Sequence, residues 1–547
     1  LTPCKRAPVV AVYSFAEQLM SSPFAARISA RSDAASVRPE EFTVMYSRPL
    51  PHPSHSAGIS ACLLVALTLV GCSPSPTASS TATTAATTST ATTSIASLQP
   101  YADATGTSST YTTAGAIDTS GVFFQSLGSN GRTCASCHQV AQGMSITPTA
   151  IQALFTSTLG ADPLFAAVDG ANCPTAADGD ATARSLLLNN GLVRIAIPVP
   201  ANAQFSITTI SDPYGCAISV NAVTGIKTVS VYRRPLPATN VLSLSNVMWD
   251  TRETIQPLTS SGTFAANLAA DLTQQAIDAV ATHAQGTVAP TGAQTTAIVD
   301  FLQELSTAQA SDSAAGSLSA NGATGGAANL AAQTTYPGIN DAFGGDPTGA
   351  KFNPNIFNLY TAWQNDTVAQ RASIARGQGI FNTSPMLIAN VRGINDNAAL
   401  GAPATLNGSC GTCHDTPNLG NHSLPLPLDT GVARLASTET DPAIIAGVGQ
   451  LAAPSLPVYQ ITGCTDANGK PVVYTTTDPG HGLVTGLCAD VNRVKVPTLR
   501  GLAARAPYFH NGSAATLAQL VAFYNARFQM RLSPQQQADL VNFLNAL

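Results

Sequence analysis

Apolar residues recur at three- and four-residue spacing in "LAADLTQQAIDAV" (268–280) and "TTAIVDFLQEL" (295–305). The same period returns in "LAQLVAFYNARF" (517–528) and "SPQQQADLVNFLNAL" (533–547), and "DTVAQRASIARGQGIF" (366–381) reads as a further helix. In 533–547, Ser533 is the expected N-cap and Pro534 the first helical residue. Between these segments the chain is turn-rich, so the pattern predicts a mainly α fold with long loops.

Two stretches break the pattern. "SPSPTASSTATTAATTSTATTSIAS" follows residue 72, and "STAQASDSAAGSLSANGATGGAANLAAQ" occupies 306–333. Neither has a hydrophobic period. The first is expected to be a flexible tether over 73–115 and the second a low-complexity linker over 306–345. Domains over 116–305 and 346–547 follow, and a chain of 547 residues with 44% hydrophobic content can bury two cores.

Each half then carries one Cys-x-x-Cys-His: Cys134, Cys137 and His138 in "TCASCHQ", and Cys410, Cys413 and His414 in "SCGTCHD". This is the attachment pattern of c-type haem, in which two thiols join the porphyrin vinyl groups and the adjacent imidazole reaches the iron. A redox dithiol gives no reason for the histidine in both copies. One shared zinc site would need its two cysteine pairs brought together from distant parts of the chain. The expectation is two cytochrome c-like domains, each wrapped around one covalent haem, with His138 and His414 as proximal ligands.

Composition narrows the partners. Charged residues make up only 10% and the formal net charge is −5, so no basic surface for nucleic acid is expected. Covalent haem attachment belongs outside the cytoplasm. "AGISACLLVALTLVGC" (57–72) reads as the matching export signal, with an apolar run too short to span a bilayer. It ends Leu69-Val70-Gly71-Cys72, which resembles a bacterial lipoprotein cleavage box. The expectation is a signal peptide over 45–72, with Met45 as a natural start, and a lipid anchor at Cys72. Residues 1–44 then read as upstream sequence, and the protein is expected in the cell envelope, facing the periplasm, anchored at the outer membrane. Cys173, Cys216, Cys464 and Cys488 remain as two in each half. Cys173 with Cys216 and Cys464 with Cys488 is the simplest of three pairings, with free thiols as the alternative.

"KVPTLRGLAARAPYFHNGSAATLAQLVAFYNARF" (495–528) resembles the C-terminal domain of bacterial di-haem cytochrome c peroxidases and their MauG-like relatives. "NVMWDTRET" (246–254) resembles that family's Phe-Trp-Asp-Gly-Arg segment. The resemblance runs from about Gly121 to the C-terminus and implies roles for particular residues. Trp249, flanked by Asp250 and Arg252, would relay electrons between the haems, although a lone tryptophan also reads as a core aromatic. Tyr524 falls where the peroxidases place a methionine ligand to the second iron and MauG-like proteins a tyrosine; Met530 is the alternative ligand. His510 would contact the haem through a hydrogen bond.

No histidine lies between His138 and His283, so the distal histidine of bis-histidine peroxidases is missing. Met144 is the nearby soft ligand, and if it stays off the iron the first haem is open. The distal acid–base would come from His283, Gln285 or Gln275, since the corresponding segment lacks Glu. Arg233, Arg234 and Arg500 are candidate partners of the haem propionates. The family's calcium uses carbonyls near the Pro507 turn and an Asn, and Arg234 stands where that Asn would fall, which counts against calcium. His422 reads as structural or as an alternative ligand.

The resemblance implies an oxidoreductase that activates peroxide at the first haem and stores or relays electrons at the second. Its partner would be a small redox donor, a cytochrome c or cupredoxin, or a protein substrate. A di-haem dioxygenase of the rubber-cleaving kind and a non-catalytic electron-transfer cytochrome are the alternatives.

Overall fold

The helical periods of the sequence become helices at Phe264–Thr282, Gly292–Gln303, Ala369–Thr383, Leu517–Arg527 and Pro534–Asn545 in a computed structural model that describes residues 93–257, 263–466 and 468–547. Ser533 caps the last of these, its side chain accepting from the Gln536 amide, with Pro534 at the first helical position. Thr291 and Gln294 form the same reciprocal cap on Gly292–Gln303. The expectations for 1–44, for the signal peptide and for the lipid anchor at Cys72 lie outside the described residues.

The mainly α expectation is overturned. Helix accounts for about 30% of the chain and strand for 18%, with strands in several separate sheets. The strands come from β-branched, alternating runs inside the turn-rich stretches: "VRIAIP" at Val193–Pro198 pairs with "KTVSVYR" at Lys227–Arg233, and "VYQITGCT" at Val458–Thr465 with "PVVYTT" at Pro471–Thr476.

The two polar stretches are corrected as well. Leu305–Asp312, expected in the linker, pairs antiparallel with Gly106–Thr112, expected in the tether, inside a four-stranded sheet completed by Gly316–Ser317 and Pro100–Ala102. Hydroxyls facing across this ladder bond one another, Thr110 to Thr307 at 2.8 Å and Thr107 to Ser311 at 2.6 Å. Serine and threonine therefore supply cross-strand bonds where apolar pairs usually do. At Gly106 any Cβ would run into the Ser311 backbone, so the closest point of the ladder requires glycine.

The halves of the chain interlock. Ser206–Ser211 pairs with Val458–Thr465, and Ile207, Val229 and Val231 share one core with Tyr459, Ile461 and Leu483. Arg233, fully buried, pairs with Asp250 at 2.6 Å and with Asp478 at 2.7 Å, tying the first half to the second. Disulfides join Cys173 to Cys216 and Cys464 to Cys488. No helix among the described residues is long and apolar enough to cross a membrane.

Candidate functional site: two cavities with a common wall

Each Cys-x-x-Cys-His opens a short 3₁₀ turn, at Cys134–Ser136 and Cys410–Thr412, capped reciprocally by Thr133 with Ser136 and by Ser409 with Thr412. The turn brings both thiols and the histidine to one cavity wall. The first cavity is lined by Cys134, Cys137 and His138; the second, of similar size, by Cys410, Cys413 and His414. The cysteine pairs thus face separate cavities, which removes the shared zinc site. Burial pushes the Cys134 thiol up to about 11 and those of Cys137, Cys410 and Cys413 up to about 12. Such neutral thiols are poor redox or zinc thiolates.

The histidines are held alike. His138 Nδ1 donates to the Met144 carbonyl at 3.2 Å and His414 Nδ1 to the Gly420 carbonyl. A carbonyl can only accept, so Nδ1 carries the proton and the Nε2 lone pair is left for a metal. Burial lowers both imidazoles to about 4, so both are neutral at ordinary pH.

Trp249, Arg234, Lys495 and Thr498 line both cavities. The Trp249 indole N–H donates to the Arg234 carbonyl at 2.8 Å, and its ring centroid is 6.1 Å from that of His510, which faces the second cavity. Lys495 is 5% exposed and donates to the Asn246 carbonyl at 2.7 Å; with no carboxylate beside it, burial lowers it to about 7. Burial and the neighbouring Arg505 lower Arg234 to about 9. Two buried basic groups without acidic partners, on a wall common to both cavities, suit anionic groups entering from either side, which would also hold Lys495 in its charged form.

The remaining expectations divide by position. Tyr524 and Met530 both line the second cavity. Burial raises the Tyr524 phenol, and among the described residues nothing hydrogen-bonds its hydroxyl. His283 and Gln275 line the first cavity. His283 Nδ1 bonds the buried Asp169 carboxylate, which also pairs with Arg132. Burial alone would raise the Asp169 pKa, but His283 and Arg132 hold it below its ordinary range.

Three expectations fail on position and a fourth on its partners. Gln285 is exposed, outside the cavity, at a left-handed backbone position where Asn130 donates to its side chain at 3.3 Å. Met144 is fully buried in the core beside Phe123 and Val140, and its own carbonyl holds His138, so its thioether does not reach the first cavity. Arg233 lines the first cavity, but its charge is already balanced by Asp250 and Asp478, which take three of its N–H groups. Arg500 is buried away from both cavities, with Nε and Nη1 unpartnered. Arg234 donates to the Arg505 and Ala506 carbonyls at 3.2 and 3.5 Å, placing its own cation at the turn to which the resemblance assigns calcium.

Asp169, Arg132, Met248 and Lys495 were not singled out from the sequence, yet all reach a cavity wall. Arg132 had a signal, standing two residues before Cys134. Asp169 had none, because it meets His283 across 114 positions.

No protein-family model matches the chain. Over 78 residues it is 41% identical to cytochrome-c peroxidase IdrP2 of Denitromonas iodatirespirans, and over 106 residues 33% identical to cytochrome c551 peroxidase of Nitrosomonas europaea. This chain is similar to bacterial cytochrome c peroxidases. The matched segments span 13% and 16% of the chain and 21% and 32% of those two proteins, so the chain covers at most about a third of either relative's length. A solved MauG-like protein associated with microbial copper homeostasis aligns over 61% of this chain and 79% of its own, at 14% identity and a TM-score of 0.24.

The cavities fit the haem that a similarity to cytochrome c peroxidases implies. Free thiol pairs, histidines with Nε2 available, largely apolar linings and carboxylate-seeking cations are all in place.

Proposed function

We propose that the chain is a di-haem c-type oxidoreductase that reduces peroxide with electrons from a small redox protein. The observation that carries this reading is the pair of Cys-x-x-Cys-His cavities separated by a wall containing Trp249. Cys134 with Cys137 and Cys410 with Cys413 would hold two covalent haems, and His138 and His414 would ligate their irons. When bound, the two haems supply a centre that can take peroxide and a second reservoir for the two electrons its reduction to water requires.

The protein's own groups do the rest. His283, oriented by Asp169, presents Nε2 as a proton carrier at the first cavity, where moving a proton between the two peroxide oxygens assists their separation. Asp169 stabilises the imidazolium while His283 holds that proton, and Arg132 keeps Asp169 ionised. Trp249 offers a π system between the cavities, and Tyr524, which lines the second cavity, would hold a second iron through its phenol oxygen. Among the described residues, Met248 is the one thioether on the first cavity's wall. Export and a lipid anchor at Cys72, facing the periplasm, belong to the same proposal. The two disulfides support an oxidising compartment.

Low-temperature EPR of the resting ferric protein, joined to peroxide turnover with a reduced c-type cytochrome, tests the reading. One high-spin and one low-spin signal with peroxide-dependent donor oxidation are expected. Two low-spin signals, one becoming high-spin in His283→Gln, would assign His283 as an iron ligand. Absence of peroxide turnover despite an open iron would overturn the peroxidase assignment.

A further inference from the structure

A second group of buried donors lies outside both cavities. Asp341, Asp415 and His422 are 1%, 0% and 1% exposed, and one ligating atom from each lies within 4.8 Å of the others. Each carboxylate is oriented by backbone amides through one oxygen only. Asp341 Oδ2 accepts from Phe343 and Gly345 at 3.0 and 2.6 Å, and Asp415 Oδ1 from Ser423 at 2.6 Å. Asp341 Oδ1, Asp415 Oδ2 and His422 Nε2 receive and give no hydrogen bond, and the side-chain oxygens of Thr416, Asn421 and Ser423 in the same loop are also buried without a partner.

Two carboxylates and an imidazole gathered this closely, each with a buried atom lacking a hydrogen bond, are out of keeping with a protein interior. A protonated His422 does not resolve them. Its Nδ1 stands 3.1 Å from Asp415 Oδ2, but that nitrogen also meets the Leu424 amide at 3.3 Å, and Asp341 Oδ1 and the histidine's own Nε2 stay unanswered. The carboxylate oxygens can only accept, and Asp341 Oδ1 has no donor among the described residues. What the group lacks is a positive centre.

We propose that Asp341, Asp415 and His422 bind a first-row divalent cation of the zinc or manganese class, at a site distinct from both Cys-x-x-Cys-His cavities. The imidazole disfavours magnesium and calcium, which take oxygen ligands, and the absence of thiolate disfavours cuprous copper. Backbone amides fixing the second oxygen of each carboxylate are the outer partners that such ligands use. The cation would clamp the loop 415–423. That loop supplies the Gly420 carbonyl to His414 and reaches the first half of the chain through Asn421 Nδ2 to the Ser243 carbonyl at 2.7 Å and Ser245 Oγ to the His422 carbonyl at 2.6 Å. The site would therefore brace His414 and the segment leading to Trp249 together. This inference does not depend on the reaction proposed above.

The full-length protein, with its haems attached, is treated with chelator and titrated calorimetrically with zinc chloride or manganese chloride alone, and its thermal midpoint is followed in parallel. One equivalent bound per chain is expected, with a rise in the midpoint, both lost in Asp341→Asn. Folding of the variant is judged by circular dichroism and the visible spectrum; should it fail to fold, wild-type stoichiometry and the midpoint shift decide alone. A wild-type protein that binds neither ion at millimolar concentration, that responds only to calcium, or whose Asp341→Asn variant binds with undiminished affinity overturns the proposal.

Discussion

Tyr524 presents a phenol with no protein partner to the second cavity, stacked against Phe528 with ring centroids 5.8 Å apart. Tyr524→Phe keeps that packing and removes only the oxygen. If the second cavity holds a haem, as proposed, its visible and EPR spectra are expected to change in this variant and to stay as in wild type in Met530→Leu; the reverse pattern would make the thioether the ligand. Glu253 gives a second test at this scale. Burial, then the nearby Asp278 carboxylate, raise its pKa to about 7. The folded state holds this proton more tightly than the unfolded chain, so folding loses stability as pH rises from about 4.5 to about 7 and gains none back above it. Glu253→Gln imitates the protonated form and should raise stability by about 2 kcal/mol at pH 8, with little effect at pH 4, measured by urea denaturation at both. Equal effects at the two pH values would refute the assignment. At this scale the Cys-x-x-Cys-His residues were legible because their spacing is their chemistry. Asp169 was not, because its meaning comes only from His283 and Arg132, which other elements bring to it.

Among elements, five amphipathic helices could be read, whereas Pro148–Thr158, Pro442–Val448 and most strands could not. Ser533→Ala leaves the Gln536 amide without its acceptor at the start of Pro534–Asn545, which packs on Ala369–Thr383 so closely that a Cβ at Gly377 would meet the Asp539 carbonyl. A loss of about 1 kcal/mol is expected from thermal unfolding. Caps of this kind are local in sequence, as the helical period is, and both can be recognised before any fold is known. The ladder between Gly106–Thr112 and Leu305–Asp312 is the opposite case. Ser109, Thr110 and Thr307 carry no apolar alternation, and their hydroxyls acquire direction only from a partner nearly two hundred positions away. Polar low-complexity sequence therefore concealed strands whose pairing is entirely non-local.

For the whole molecule, the strand pairing of Ser206–Ser211 with Val458–Thr465 and the buried Arg233–Asp478 pair join two halves through a shared third cluster, although each half also holds a large core cluster of its own. Unfolding by guanidinium is expected as one transition, with the haem absorption of both centres and the far-ultraviolet signal falling together; two separated transitions would mean that each half is stable alone. Two motifs in two halves had suggested separate domains, since motif spacing carries no record of strands exchanged between them. The wall formed by Trp249, Arg234, Lys495 and Thr498 extends this unity to charge. Adding an electron on one side changes the field that the same cations present to the other. With a haem in each cavity, as proposed, thermodynamic reciprocity requires the two midpoint potentials to displace each other by one common amount, whichever centre is reduced first.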